Sequence, residues 1–448
     1  MEGNTLLPEI LSRVMEYLRY DATTLRSALL VNKTWAAEAI RVLWEKPPVA
    51  ALAAIGEDHR QFYARQVREL IFGGDEDGAE HSNFRNLEFP RLRRITIDYF
   101  RPDNGEKLWL GQYIQPSMED FSFYGAEPAE DILHLLETRC PRLESIVIDF
   151  QFEGLTSSRL IKFFDSCKSL TSICLPSNIK NTIDNRLLAY LARHDGLEEL
   201  ELGTFLRYEM LDKIFEGTER PFRDIRYLAV QIESKAVPLL VAGVKSVIGL
   251  TLTIEDGRTN PLPQVSSLIN LQELHIGYME QGEWGGTDFL ALKSLKNLRR
   301  LNISPIFDPI ASPTLTDEEF IPVFENMSEL QELVFQVQCV LSTAAITSLG
   351  ERCPQLMICE ILGLYDLHGW QSVARPLFPQ LQRLELSAAI DGEQGSLSSS
   401  LSTRAGTLAR LILEHAPKLE ELYLHDRDEF SKEVVAAFKK ETGNEYNS

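Results

Sequence analysis

The phrase Leu197-Glu198-Glu199-Leu200-Glu201-Leu202 decides the fold. Its last three positions alternate apolar, polar, apolar, as in a short strand with one buried face. The same pattern begins at Val67, Leu92, Met118, Leu143, Leu170, Leu197 and Ile225. It recurs at Val247, Leu271, Leu298, Leu330, Leu356, Leu381 and Leu419. The steps between starts run from 22 to 38 residues and average close to 27. A single match carries no weight. Fourteen in near-regular succession describe a repeat.

Between these phrases lie segments with helical spacing, such as Ile132-Leu133-Leu135-Leu136, Leu160-Ile161-Phe163-Phe164 and Leu187-Leu188-Tyr190-Leu191. Phe320-Ile321-Val323-Phe324 and Leu408-Leu411-Ile412 continue the series. A strand-plus-helix unit of this size cannot bury its own faces, so neighbours must stack. The expected fold is an α/β leucine-rich-repeat solenoid over residues 67–448, with about 14 repeats, a parallel inner sheet and outer helices. Phe430 to Lys440 reads as a closing helix. Several helices end in a small residue and a proline before the next strand: Cys140-Pro141, Cys353-Pro354 and Ala416-Pro417, with Cys167-Lys168 as a variant. The steps of 32 and 38 residues hold insertions, Ile306–Thr316 and Asp391–Ser402, expected to project from the repeat as loops. Gly73 to Gly78 reads as a solvated turn.

Composition narrows the function classes. The formal charge is −21, and no basic stripe appears along the chain, so neither nucleic acid nor a membrane surface is an expected partner. Met1-Glu2-Gly3-Asn4 lacks a basic leader region, and the longest apolar run, near Val237 to Val244, is too short to span a bilayer. The six cysteines are scattered without a Cys-x-x-Cys pair and read as reduced thiols packed in the core, which suits the cytoplasm or nucleus. Phosphate-binding glycine motifs, the His-Glu-x-x-His zinc motif and the nucleophile elbow are all missing. The chain is expected to be no enzyme and to need neither metal nor cofactor.

Residues 1–46 have another texture, with six acidic and six basic residues. Leu7, Ile10, Leu11, Val14 and Leu18 form one helical stripe, with Pro8 in its first turn. Ala28, Leu29, Leu30 and Val31 follow, then Trp35, Ala39, Ile40, Leu43 and Trp44. About 40 residues cannot bury this much apolar surface alone. The surplus lies against the repeats, as a helical cap, or against another protein. Residues 47–66 are expected to form a linker helix.

Leu6-Leu7-Pro8-x-Ile10-Leu11, Leu30-Val31-Asn32-Lys33-x-Trp35 and Leu43-Trp44-x-x-Pro47-Pro48 resemble an F-box of the fungal type. The Cys-Pro-x-Leu phrases are similar to those of F-box leucine-rich-repeat proteins. The asparagine common after the strand in other leucine-rich families is mostly missing, with Asn178 the nearest match. The resemblance implies binding to the Skp-type adaptor of SCF (cullin–RING) ubiquitin ligases. The residues it would assign to that contact are Leu7, Pro8, Ile10, Leu11, Val14, Leu30, Val31, Trp35, Leu43 and Trp44. Some of these must instead hold the three helices together.

In each repeat, the residues flanking the buried strand positions should point to the concave surface. They form two rows with nine acidic and three arginine side chains, and most of the acids come from Glu199 onward. The candidate target-binding residues are Glu199, Glu201, Tyr227, Glu273, His275, Arg300, Glu332, Glu360, Glu385 and Tyr423. They suit a protein with a basic segment. The expected function is a substrate-receptor subunit of an SCF-type ligase. The alternatives are an interaction scaffold outside ubiquitination and a GTPase-activating regulator similar to the Ran-activating family, against which the N-terminal module speaks.

Overall fold

The computed structural model describes residues 7–98, 107–257, 259–307, 310–391, 400–425 and 428–443; at positions 8, 75, 78 and 79 only the backbone is described. The chain divides into two compact units, residues 1–191 with 196–204, and residues 192–195 with 205–448.

The first unit opens with three helices, α1 (Pro8–Tyr17), α2 (Ala22–Ala28) and α3 (Lys33–Leu43). Asp21 caps α2 by accepting from the Thr24 N–H, and Asn32 caps α3 by accepting from Thr34 and Trp35. Leu11, Met15, Leu25, Ala28, Ala39 and Val42 form a core private to these helices. The stretch expected to be one linker helix is two, α4 (Val49–Ala53) and α5 (Glu57–Ala64), broken at Gly56. Arg60 pins the break: its guanidinium donates to the carbonyls of Ala53, Ile55 and Asn83 at 2.8–3.1 Å. A buried cation satisfied by three backbone carbonyls fixes both helices to the first repeat.

Six parallel strands follow in register: β1 (Glu69–Phe72), β2 (Arg94–Ile97), β3 (Asp120–Phe123), β4 (Ser145–Ile148), β5 (Ser172–Leu175) and β6 (Glu199–Leu206). Each starts at the third residue of its sequence phrase, and the apolar positions of every strand are buried. The residue before each strand links the ladder: Arg93 N–H donates to the Arg68 carbonyl, and Glu119 N–H to that of Arg93. The ladder reaches into the N-terminal module, where the Glu45 carbonyl accepts from both Arg68 and Glu69. The module therefore ends as an extra rung on the sheet edge, which keeps β1 from presenting a bare edge there. Gly73 to Gly78 is not a simple turn, since Gly74–Ala79 is a helical turn.

The second unit carries β7 (Tyr227–Ile232), β8 (Gly249–Ile254), β9 (Glu273–Tyr278) and β10 (Arg300–Pro305), then β11 (Ile310–Ala311) and β12 (Glu332–Phe335). It ends with β13 (Val337–Gln338), β14 (Ile358–Tyr365), β15 (Arg383–Ala389) and β16 (Glu421–Leu424). All but β11 and β13 join one parallel sheet in chain order. β11 and β13 pair with each other. The insertion expected to project at 306–316 thus folds back: Ile310, Ser312 and Leu315 are fully buried. Backbone pairing and three buried side chains outweigh its prolines. Of the second insertion, residues 392–399 lie outside the described residues, whereas Ser400 caps the helix Leu401–His415. The closing helix spans Glu429–Thr442. The Cys-Pro phrase works as expected locally, with Cys140 and Cys353 buried at their helix ends.

In both units, parallel strands alternate with helical return segments in the leucine-rich-repeat pattern.

Candidate interaction surfaces

Two surfaces carry the sequence-derived candidates: the helical module and the open face of the strands. On α1, the stripe splits in two. Leu11 is 1 % exposed and belongs to the module core, while Leu7 and Ile10 are 63 % and 46 % exposed. Tyr17, three residues beyond Val14 and one turn further along α1, is also exposed. Leu30 and Val31, in the turn after α2, are exposed as well. Val14, Trp35 and Leu43 are half-buried, with Trp35 and Leu43 packed on the core. Trp44 turns toward α5 and packs against Tyr63, ring centroids 4.4 Å apart and the planes tilted by 41°. The Pro8 side chain lies outside the described residues. The candidates thus sort into a surface set, Leu7, Ile10, Leu30 and Val31, and a supporting set that holds it.

On the strands of the first unit, Glu199 and Glu201 are exposed, two residues apart on β6. Cys174 lies beside Glu201 in register. Burial and the Glu201 carboxylate push its thiol pKa upward, so it stays protonated.

The strands of the second unit hold the other candidates in two adjoining rows. Glu273, Arg300, Glu332, Ile358, Arg383 and Glu421 are in register across six strands. His275, Asn302, Val334, Glu360, Glu385 and Tyr423 form the next row. Arg300 pairs with Glu273 at 3.0 Å and reaches Glu332 at 3.9 Å. Glu360 and Glu385, neighbours across β14 and β15, are only 8 % and 7 % exposed. The amide of Gln336 donates to Glu360. Arg383 and His425 both bond to Glu385, His425 at 2.6 Å. Burial opposes the charge on Glu385, but these two hydrogen bonds outweigh it and hold the carboxyl below the usual range. The Arg383 guanidinium also lies over the Tyr423 ring, 5.0 Å from its centroid. Five carboxylates against two arginines leave this face acidic. Tyr227 is exposed on β7.

Gln336, His425 and an apolar fringe were absent from the sequence reading. Ile306, Phe307, Val340, Leu364 and Ile390 are exposed beyond the ends of the acidic rows. Each sits past the repeating phrase, where the periodic pattern is silent.

Among the described residues, no group of three or more His, Cys, Asp or Glu is placed to hold a metal. No helix among them is long and apolar enough to cross a membrane.

No protein-family model matches the chain, and no curated protein matches it. Solved structures do. An internalin from Listeria monocytogenes is 13 % identical over 90 % of this chain and 92 % of its own, with a TM-score of 0.38. The leucine-rich-repeat ectodomain of the receptor kinase GASSHO1/SCHENGEN3 from Arabidopsis thaliana is 13 % identical over 86 % of this chain and 56 % of its own, TM-score 0.36. A chain in the yeast Rad7 and Elc1 complex is 16 % identical over 83 % of this chain and 93 % of its own, TM-score 0.47. What each of those proteins binds belongs to that protein.

Proposed function

We propose that the chain is a protein-binding adaptor whose N-terminal module docks a Skp-type adaptor of an SCF (cullin–RING) ubiquitin ligase, while its strands hold a protein target. The observation that carries this reading is the split on the module. Its three helices close their own core, yet Leu7, Ile10, Leu30 and Val31 remain exposed. A module needed only as a cap gains nothing from four exposed apolar side chains, and a helical docking surface needs them. Burying a Leu or Val side chain at such an interface is worth roughly 1.5–3 kcal/mol.

The acidic rows support a target with a basic segment. Five carboxylates on the second unit's open face, two of them nearly buried, favour a cation that displaces water there. The catalytic contribution would be proximity: a held target meets the charged ubiquitin-carrying enzyme at high effective concentration. No residue of this chain would perform bond chemistry. Localisation to cytoplasm or nucleus follows from this reading.

Affinity purification of the wild type beside a Leu7→Ala, Leu30→Ala double variant tests it. Adaptor and cullin recovered with the wild type and lost with the variant support the ligase reading. Adaptor without cullin favours a scaffold outside ubiquitination. If neither is recovered with the wild type, the docking reading fails.

A further inference from the structure

The chain is strongly acidic, yet one cleft in its first unit is not. A cleft of ≈ 600 Å³ lies where the helical module meets the first three strands, and Arg19, Lys46, Arg68, Arg93 and Arg94 line it. Three carboxylates, Glu45, Glu69 and Glu119, share its walls with these five cations, while Glu16 pairs with Arg19 and Asp120 lies in register beside Arg94 just outside the lining. The backbone assembles this cluster. Arg68 and Arg93 occupy successive rungs of the ladder before β1 and β2, and Glu45 supplies the rung before them.

The carboxylates lie deeper than the cations. Their side chains are 18–25 % exposed, against 36–62 % for the five basic ones. Glu45 takes Arg19 at 3.2 Å and Arg68 at 3.3 Å; Glu119 takes Arg93 at 3.2 Å. Glu69 holds Lys46 at 2.5 Å and Arg94 at a loose 3.9 Å. A guanidinium has five N–H donors. Bonded through one nitrogen to the carboxylates beneath (Arg19 to both Glu16 and Glu45), it keeps its other nitrogens for an oxyanion above. The acids therefore orient the cations without using them up.

We propose that this cleft seats a short acidic segment of a partner protein, taking its carboxylates, or phosphates carried on its side chains, on the outward guanidinium donors. The size of the cleft suits a few residues. The charge of the whole chain argues for a short ligand: a long polyanion would extend beyond the screening length of about 8 Å into the field of an acidic protein. This inference does not depend on the ligase reading.

The test is fluorescence anisotropy of the full chain with three labelled probes: octaglutamate, an octapeptide of alternating glycine and phosphoserine, and a single-stranded octanucleotide. At least one peptide is expected to bind, more weakly as salt is raised. Lys46→Ala with Arg94→Ala should weaken it about tenfold or more, the scale of one lost charge-assisted bond. Lys168→Ala, on an exposed lysine outside the cleft, should leave it unchanged. Should the double variant not fold, Lys46→Gln alone, which leaves Glu69 its Arg94 partner, gives the same comparison. Failure of both peptides to bind overturns the proposal. So does equal binding by the variants, or an octanucleotide that binds as tightly as the peptides.

Discussion

The Tyr113 hydroxyl lies 3.0 Å from Nδ1 of His81, with both side chains buried. Phe72 covers the imidazole from β1, its ring stacked at 4.0 Å and 13°. Burial drives the His81 pKa down from 6.5 to about 3. The folded protein keeps this imidazole neutral, while the unfolded chain protonates it near 6.5. Its contribution is present above that pH and is lost as pH falls toward 3, by up to about 1.4 kcal/mol per pH unit. His81→Phe should flatten this acid limb while lowering stability at neutral pH, because Tyr113 loses this partner. Urea unfolding at pH 7 and pH 4.5 measures both. Equal acid slopes in wild type and variant would refute the assignment.

Leu30 and Trp44 were candidates for one role, and the structure separates them. Trp44→Ala removes the ring contact with Tyr63 and should cost about 1–3 kcal/mol, below the 3–5 kcal/mol of a fully buried tryptophan. Leu30→Ala, at 88 % exposure, should change stability by no more than ~0.5 kcal/mol. Thermal denaturation of the two variants checks this. A Leu30→Ala protein that melts as early as Trp44→Ala would place Leu30 in the core after all.

Gly203 sits on β6, where a methyl group would come within 2.2 Å of the Ser177 backbone nitrogen. Backbone cannot move aside as a side chain can. Gly203→Ala should therefore destabilise by about 1–3 kcal/mol. Chemical denaturation tests it, and a neutral result would show that the turn at Pro176-Ser177 yields.

The six cysteines are free. Burial raises the thiol pKa to about 12 at Cys140, Cys339, Cys353 and Cys359, and to about 11 at Cys167. At pH 7.5 the native protein should resist iodoacetamide, and the unfolded chain should take up six equivalents. Rapid labelling of the native protein, followed by mass spectrometry, would point to an exposed thiol.

Reversing Glu273, Glu332 and Glu421, one register row of the second unit, to lysine should abolish capture of a lysine- and arginine-rich peptide by that unit's strand face. A titration of that peptide against wild type and variant, at two salt concentrations, reads the effect. Unchanged affinity would move the target site elsewhere.

By itself, the sequence determined the repeat. The phrase at Leu197 is one of fourteen, and each is a strand whose predicted apolar residues are buried, save the half-buried Leu424 of the last. Strand alternation and helical spacing are local properties, set over six to ten residues, so periodicity exposes them. The charge rows followed from the same alternation. Only the tertiary structure decided the rest. It sorted Leu11 into the core and Ile10 onto the surface, because that depends on which helix lies opposite. It turned Trp44 onto Tyr63 and folded Ile310 back to pair with Val337. Above all, it gathered Arg19, Lys46, Arg68, Arg93 and Arg94 into one cleft. No basic stripe appears along the chain because these five are scattered over 76 positions. Ladder hydrogen bonds bring their rungs together, and a scan along the sequence does not see across rungs.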